Sequence, residues 1–339
     1  MTTGETAEPG LFEVAELSVV FPESRGGARA VDRVSFTVGS AESLGIVGES
    51  GSGKSMLMRA VMGLAPTGAA VTGRAVFLGR DILTMSRRDA RSLLGAQIAM
   101  VFQNPMSSLN PVLTIGRQVS EPLELHRGMR RRQARSEVHA LLASVGITDV
   151  ARRVRSYPHE LSGGMRQRVS IAIAIACGPS LLIADEPTTA LDVTTQKQVL
   201  DLLDDLRRDR LMSVMLVSHD LSVVAGRTDR VMVMYGGQIV ESGPTRDLID
   251  APRHPYTAAL LAATPRLDQP SHTRLSVVPS GPVRVATRTR GCRFAPRCQY
   301  ARDVCRTTDP VLTAHAGQDE RQVACFFPLS ENAIGRSTK

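Results

Sequence analysis

The run Gly48-Glu49-Ser50-Gly51-Ser52-Gly53-Lys54-Ser55 constrains the fold of this chain more than any other feature. It fits the pattern G-x-x-x-x-G-K followed by Ser or Thr, and it comes directly after the apolar residues 44–47. This order predicts a strand that turns through a phosphate-binding loop into a helix. Glycines there let backbone N–H groups converge on phosphate oxygens, and the helix N-terminus adds partial positive charge. A plain Gly/Ser-rich loop is the alternative, but the strand favours a nucleoside triphosphate site.

Length and composition limit the class of protein. The chain has 339 residues, of which 42% are apolar, so we expect about two domains with an ordinary buried core. No apolar run reaches the roughly 18 residues of a membrane span, and no secretory signal is visible at the first residues. We therefore expect a cytosolic chain that does not cross a bilayer by itself. The net charge of +8 comes mostly from arginines spread over several segments, which disfavours a nucleic-acid partner.

The pattern of apolar residues predicts the order of the elements. Short β-rich runs precede the loop at residues 12–14, 17–21, 34–38 and 43–47. Two apolar strands at 181–184 and 213–217, separated by a helix at about 194–210, predict a parallel sheet buried on both faces. Residues 231–240 predict a hairpin around a Gly-Gly turn. After residue 252 the periodicity is weak, so we expect a boundary near residue 250 and a small, loop-rich tail.

Two carboxylates, Asp185 and Glu186, close the predicted strand 181–184. They fall at the C-terminal edge of a parallel sheet, where the ligands of such sheets bind. Asp185 is suited to hold Mg²⁺, directly or through water, and Glu186 to polarise a water that attacks a γ-phosphate. An acidic turn after a buried strand is the alternative. The phosphate loop in the same chain favours the catalytic interpretation.

The run Leu161-Ser162-Gly163-Gly164 precedes an apolar helix, and Ser162 is placed to cap it. With this run the chain resembles the nucleotide-binding subunits of ABC transporters, from about residue 11 to residue 260. The matching motifs occur in the family's order: the phosphate loop, Gln103, Leu161-Ser162-Gly163-Gly164, Asp185-Glu186, Ala190-Leu191-Asp192 and Ser218-His219-Asp220. Together they are far more specific than any one of them.

The resemblance implies an α/β fold: a P-loop, RecA-like ATPase core with an N-terminal antiparallel β subdomain, a helical insertion subdomain and a small C-terminal cysteine-containing extension. The expected bounds are 11–103 and 161–250 for the core with its β subdomain, 104–160 for the helical subdomain and 251–339 for the extension.

The resemblance also implies a role for each matching residue. Phosphates would be bound by Gly48, Glu49, Ser50, Gly51, Ser52, Gly53, Lys54 and Ser55, and Mg²⁺ by Ser55, Gln103 and Asp185. Glu186 would be the catalytic base, and Gln103 would also sense the metal or the attacking water. His219 would contact the γ-phosphate. Phe21 stands where the family usually carries an aromatic residue that stacks on adenine, although a single Phe ending a strand is equally typical of a core.

The exposed amides expected at Ser162-Gly163-Gly164 would form a second anion site, too far along the chain to close over its own phosphate loop. In the family, two such subunits meet head to tail and bury two ATP molecules between them, and Asp192 would lie at that interface. ATP would drive closure and hydrolysis would reopen the pair. The helical subdomain would pass this motion to two transmembrane permease subunits. The chain would thus be peripheral at the cytoplasmic face of the membrane, in a complex with an extracytoplasmic substrate-binding protein.

Four of the five cysteines lie in the tail: Cys292, Cys298, Cys305 and Cys325, with intervening gaps of 5, 6 and 19 residues. Four thiols in a loop-rich cytosolic tail favour a metal site over disulfides. The gaps match neither zinc-type Cys-x-x-Cys pairs nor ferredoxin spacings. Residues 284–306 hold seven arginines and one acid, which we expect to stabilise thiolates and to offset the negative charge of an iron–sulfur cluster.

The tail resembles the C-terminal extension of ATPases from oligopeptide/dipeptide importers. The match rests on His254-Pro255-Tyr256-Thr257, residues 291–298, Cys305 and Val323-Ala324-Cys325. Some members of that family carry a 4Fe-4S cluster there, which implies that all four tail cysteines are ligands, with another metal or no metal as the alternative. The implied function is the ATPase subunit of an importer for short peptides. Related members import nickel.

Other classes fit less well. A soluble ABC ATPase of DNA repair or translation would usually carry long coiled-coil insertions or two tandem cassettes, and an exporter ATPase would lack the extension. The partner ATPase is either a second copy or a paralogue, and the family's habit of pairing two different ATPases favours a paralogue.

Overall fold

The computed structural model describes residues 10–22, 27–103, 108–189, 191–264, 290–315 and 318–330. The described strands are β1 (Phe12–Val20), β2 (Arg29–Val38), β3 (Ser43–Val47), β4 (Ala70–Phe77), β5 (Arg80–Asp81), β6 (Ile98–Val101), β7 (Leu181–Asp185), β8 (Ser213–Ser218), β9 (Arg230–Tyr235), β10 (Gln238–Pro244), β11 (Thr313–His315) and β12 (Gln318–Val323). The described helices are α1 (Lys54–Val61), α2 (Arg87–Leu93), α3 (Ile115–Arg127), α4 (Arg131–Ser144), α5 (Val150–Arg153), α6 (Gly163–Ile175), α7 (Val193–Arg210), α8 (Leu221–Val224), α9 (Thr245–Asp250), α10 (Pro255–Ala263) and α11 (Asp303–Thr307).

The chain divides into two compact units. The first unit comprises Met1–Val38, Ser43–Leu83 and Ser218–Lys339, and the second comprises Gly39–Glu42 and Thr84–Val217. The tail after residue 250 therefore lies in the same unit as the phosphate loop, and the expected boundary near residue 250 does not separate the two units. Among the described residues, no helix is both long and apolar enough to cross a membrane.

An antiparallel sheet in the order β2-β1-β4-β5 forms one part of the first unit. Strand β1 runs unbroken where the sequence predicts two short runs, because a bulge interrupts its alternation. Glu16 has a left-handed φ of 49°, and the register against β4 shifts between Ala15 and Ser18. The extra residue places Val14 and Leu17 on the same buried face, so the period-two pattern breaks without ending the strand.

The other sheet of the first unit has the order β11-β12-β10-β9-β3. Strands β3 and β9 are parallel, and β9 and β10 form the predicted hairpin, with Gln238 opposite Tyr235. Strand β12 pairs with β10 and places Val323 opposite Glu241. The tail, which the sequence predicts to be rich in loops, therefore contributes two strands to this sheet.

The second unit contains the parallel strands in the order β8-β7-β6. Every residue of β7 and β8 is buried, as their continuous apolar sequences predict. Helices α3, α4 and α5 fall within residues 104–160, the stretch whose sequence predicts a helical insertion. Helix α4 shows why its arginine-rich sequence is helical: Ala134, Val138, Leu141 and Leu142 recur at helical spacing and are buried.

Candidate nucleotide site and cysteine cavity

The phosphate loop joins β3 to α1, which begins at Lys54 as predicted. Gly51 and Gly53 have left-handed φ values of 79° and 105°, which side chains other than glycine rarely adopt. A Cβ at Gly48 would lie 2.2 Å from the carbonyl oxygen of Met234, and a Cβ at Gly53 would lie 2.4 Å from that of Ala30. Neighbouring backbone atoms therefore leave no room for a side chain at Gly48 or at Gly53.

Lys54 is buried at the end of this loop. Its Nζ donates hydrogen bonds to the carbonyl oxygens of Gly48 and Glu49, at 2.6 and 3.0 Å. Ser55 follows it in the first turn of α1. A buried ammonium beside a helix N-terminus is the arrangement expected of an anion site.

The structure brings Gln103 and Glu186 together in the second unit. Nε2 of Gln103 donates to Oε2 of Glu186 at 2.8 Å, and Oγ1 of Thr189 donates to the same oxygen at 3.0 Å. Glu186 has a left-handed φ of 46° directly after the buried Asp185. Such a conformation costs about 1–3 kcal/mol and is typical of functional sites. The carboxylate of Glu186 is therefore held in one orientation at the end of β7.

The Ser162-Gly163-Gly164 run forms the start of α6. Oγ of Ser162 accepts a hydrogen bond from the backbone N–H of Met165 at 3.3 Å, which confirms the predicted cap. Ser162 and Gly163 are exposed at this helix N-terminus. A Cβ at Gly164 would lie 2.5 Å from Cγ2 of Thr195, so close packing against α7 requires this glycine.

Asp192 caps α7 in the same unit. Its Oδ1 accepts a 2.9 Å hydrogen bond from the backbone N–H of Thr195, and this bond lowers the pKa of the Asp192 carboxyl. Helices α6 and α7 therefore begin with capped N-termini that touch at Gly164 and Thr195.

The remaining predicted nucleotide residues are His219 and Phe21, in the first unit. His219 is exposed immediately after β8, and Asp220 then caps α8 by accepting from the N–H of Ser222 at 2.8 Å. Phe21 is half-buried after β1, where its N–H donates to the carbonyl oxygen of Ala28 at 2.9 Å. Their contacts with ATP stay predictions.

The four tail cysteines line one open cavity, together with His254 and Phe294. Within the described residues, however, no three His, Cys, Asp or Glu side chains come together in a group that could hold one metal ion. The iron–sulfur cluster therefore stays a prediction.

The expectation that arginines stabilise the thiolates is wrong. Burial raises the pKa of Cys292 and Cys298, and it raises the pKa of Cys325 to about 11. The nearby guanidinium groups are bound to carboxylates instead: Arg293 pairs with Asp32 and Arg297 with Glu49. These ion pairs commit the two guanidinium groups to carboxylates rather than to the thiols.

His254 contributes a polar group to the wall of this cavity. Its Nδ1 accepts a 3.0 Å hydrogen bond from the backbone N–H of Tyr256, which assigns the ring proton to Nε2. The ring is buried, and burial lowers its pKa to about 3. Among the described residues, Nε2 has no hydrogen-bond partner.

Residues 31–189 match the ABC transporter family, and residues 240–305 match the oligopeptide/dipeptide transporter C-terminal region. The chain is 46% identical to the oligopeptide transport ATP-binding protein OppD of Salmonella typhimurium, over 95% of each chain. It is 47% identical to the dipeptide transport ATP-binding protein DppD of Escherichia coli, over 97% of this chain and 99% of DppD. The chain belongs to the oligopeptide/dipeptide family of ABC transporter ATP-binding proteins.

Solved structures place this family member among ABC ATPase cassettes. The dimeric ATP-binding cassette MJ0796, in a post-hydrolysis state bound to ADP and Pi, matches with a TM-score of 0.62 and 27% identity. The match covers 69% of this chain and 99% of MJ0796. The cassette cbiO1 of Clostridium perfringens matches with a TM-score of 0.61 and 26% identity, over 71% of this chain and 91% of cbiO1. The predicted α/β, P-loop ATPase fold is confirmed.

The structure of this ABC ATP-binding protein also shows contacts that the sequence analysis missed. Arg297 and Tyr256 of the tail both bind Glu49 of the phosphate loop. In the sequence, both residues fall within the stretches that resemble the family extension, and nothing there links either of them to Glu49. The partners are 207 and 248 residues apart in sequence, so no local pattern pairs them.

Proposed function

We propose that this chain binds and hydrolyses ATP to energise an ABC importer of dipeptides or oligopeptides across the cytoplasmic membrane. The observation that carries the proposal is the phosphate loop, a cradle that excludes side chains at Gly48 and Gly53 and that ends on the buried Lys54. The names of the relatives OppD and DppD support the substrate class.

In this proposal the loop amides and Lys54 bind the β- and γ-phosphates of ATP. The oxygen ligands Ser55, Gln103 and Asp185 hold Mg²⁺, which neutralises charge on the phosphates when it is bound. Hydroxyl, amide and carboxylate oxygens are a donor set that suits this hard cation. Phe21 stacks on adenine, and His219 contacts the γ-phosphate.

Glu186 orients the attacking water and accepts its proton. Two donors, Gln103 and Thr189, hold Oε2 of this carboxylate and so fix its orientation. A carboxylate that is already oriented loses little conformational freedom when it binds the water. Gln103 bonds Glu186 and would also contact Mg²⁺ or the attacking water, so it connects the base to both of them.

The site is completed by a second ATPase subunit, for which we favour a paralogue. The exposed amides of Ser162-Gly163-Gly164 bind the γ-phosphate held in the partner's loop, and Asp192 lies at the same interface. The dimeric state of the structural relative MJ0796 supports this arrangement. Two transmembrane permeases and an extracytoplasmic substrate-binding protein complete the complex, with this chain peripheral at the cytoplasmic face. No nucleic acid takes part.

Co-purification tests the proposal against its alternatives. A tagged chain expressed with its genomic neighbours should retain two hydrophobic permease chains, and peptide should raise the ATPase activity of the complex. Stimulation by Ni²⁺ but not by peptide would identify a nickel importer. An ATPase that retains no permease would support a soluble ABC protein of DNA repair or translation.

We also propose that Cys292, Cys298, Cys305 and Cys325 hold a 4Fe-4S cluster. All four thiols line one cavity, and the donor set suits iron–sulfur clusters. The unpartnered Nε2–H of His254 supplies a donor in the same wall, and hydrogen bonds to sulfur tune such clusters. When bound, the cluster supplies an electron-transfer centre and a cross-link between tail segments.

Anaerobic purification tests the cluster. We expect a brown protein that contains iron and sulfide and that loses both when Cys298 is replaced by Ser. Cys177→Ser, which alters a cysteine outside the cavity, is the control and should keep the colour. A colourless, iron-free wild-type protein would contradict this part of the proposal.

A further inference from the structure

Arg297 of the tail forms an ion pair with Glu49, the second residue of the phosphate loop. Its Nη1 lies 2.7 Å from Oε2 of Glu49 and its Nη2 lies 2.9 Å from Oε1. The guanidinium is 8% exposed and the carboxylate 23% exposed, so the pair is largely shielded from water. Because a two-pronged pair of this kind fixes both distance and orientation, it places the Glu49 side chain in one position.

Tyr256 holds the backbone of the same residue. Its hydroxyl oxygen accepts a 2.8 Å hydrogen bond from the backbone N–H of Glu49. The ring is fully buried, and burial raises the pKa of the hydroxyl. The neutral hydroxyl is therefore retained at any physiological pH, and Glu49 is bound by the tail through both its backbone and its side chain.

A third contact reaches the far side of the loop. Arg293 donates to the carbonyl oxygen of Gly236 and pairs with Asp32. The neighbouring Gly237 donates its N–H to the carbonyl oxygen of Ser52 at 2.7 Å. The tail thus supports the loop directly at Glu49 and, through the Gly-Gly turn, at Ser52.

Aromatic side chains pack between these contacts and join them into one cluster. The guanidinium of Arg297 lies 5.6 Å from the centroid of the Tyr235 ring and 5.9 Å from that of Phe294. Tyr235 and Phe294 each pack against Tyr256, with ring centroids 4.7 and 5.3 Å apart. The segment that carries Arg293 and Arg297 is bounded by Cys292 and Cys298, which line the cysteine cavity.

We propose that Arg297 and Tyr256 are positioning residues for the phosphate loop, so that docking of the cysteine-bearing tail sets the affinity of the chain for ATP. The inference rests on the proposed function, since it concerns the same nucleotide site. A loop held at Glu49 before ATP arrives has less conformational freedom to lose on binding. By linkage, ATP favours the docked tail by the same factor by which the docked tail favours ATP.

The test measures the Kd of the full-length chain for a fluorescent ATP analogue, with KM and kcat of hydrolysis alongside. Coupling energies between sites typically change affinity 5- to 150-fold, so we expect Arg297→Gln to raise Kd and KM about tenfold with a smaller change in kcat. Tyr256→Phe, which removes only the acceptor, should raise Kd several-fold. Arg297→Lys should recover part of the loss. Arg306→Gln removes an exposed arginine from the same segment and should change nothing.

A double-mutant cycle makes the test specific. If Arg297 acts through Glu49, then Arg297→Gln combined with Glu49→Gln should bind the analogue no more weakly than the weaker single variant. A lower melting temperature with wild-type Kd in both Arg297→Gln and Tyr256→Phe would overturn the inference and assign these residues to tail stability alone. A wild-type chain that binds no ATP would instead overturn the proposed function.

Discussion

Gln103 and Glu186 are 83 residues apart in sequence, and a 2.8 Å hydrogen bond from the side-chain amide to the carboxylate joins them. Glu186 directly follows Asp185, the last residue of β7, and its backbone has a strained left-handed φ. The hydrogen bond from Gln103 fixes the orientation of the Glu186 carboxylate. Glu186 is therefore held as an acceptor, not merely exposed at the end of a strand.

Replacing Glu186 by Gln should separate binding from chemistry. The amide keeps the size of the side chain but cannot accept the proton of the attacking water, so turnover should fall by about 10²- to 10⁴-fold. ATP affinity should stay within a few-fold of wild type, and the closed dimer should accumulate with ATP on size-exclusion chromatography. Glu160→Gln, an exposed change in the same unit, is the control. Turnover that survives in Glu186→Gln would remove Glu186 as the base.

Replacing Lys54 by Ala should weaken nucleotide binding itself. A hydrogen bond to a charged group contributes about 1.5–3 kcal/mol, so the Kd for ATP should rise at least tenfold. Isothermal titration calorimetry of the full-length chain measures this effect. Lys197→Ala, which removes an exposed lysine from α7, should leave Kd unchanged. An unchanged Kd in Lys54→Ala would count against its role at the phosphates.

The stability of the folded chain should depend on a buried ion pair that joins β10 to β12 of the tail. Glu241 is fully buried, and its Oε1 lies 3.0 Å from Nη2 of Arg321 and accepts the N–H of Arg253. Glu241→Gln leaves the Arg321 cation buried without its countercharge, which typically costs about 3–5 kcal/mol. Urea denaturation should show this loss. Asp205→Asn breaks an exposed pair with Arg208 and should leave the midpoint unchanged. An equal loss of stability in Glu241→Gln and Asp205→Asn would contradict a special stabilising role of the buried pair.

Asp192 allows its capping role to be separated from its proposed interface role. Asp192→Asn keeps an acceptor for the N–H of Thr195 and should leave the melting temperature unchanged, whereas Asp192→Ala should lower it. If Asp192 also lies at the dimer interface, Asp192→Asn should weaken ATP-dependent dimerisation without unfolding the chain. Dimerisation equal to wild type in Asp192→Asn would remove it from the interface.

Much of the nucleotide site could be predicted because its motifs are local. A few adjacent residues are enough to recognise each of its motifs, because their spacing determines the local backbone conformation. This holds for the phosphate loop, the Ser162 cap and Asp185-Glu186. The pairing of Glu49 with Arg297 could not be predicted, because it depends on how the tail packs after more than two hundred intervening residues. The sequence predicts two short strands where the structure has the single strand β1. The reason is the bulge at Glu16, which breaks the alternation of apolar and polar residues on which strand prediction relies.

The effect of the tail arginines was mispredicted because sequence shows charge but not partners. Arginines near cysteines suggest lowered thiol pKa values, yet Arg293 and Arg297 are bound by the carboxylates of Asp32 and Glu49. Burial then dominates at Cys325 and raises its pKa.

The most direct test of the central claim is the ATPase rate of the reconstituted complex. The chain would be purified with its two permeases and partner ATPase, placed in lipid vesicles and assayed with and without the peptide-loaded substrate-binding protein. We predict that peptide raises ATP hydrolysis, that hydrolysis accompanies peptide uptake, and that Glu186→Gln abolishes the stimulated rate. Hydrolysis that is indifferent to peptide, or a chain that does not assemble with any permease, would contradict the account.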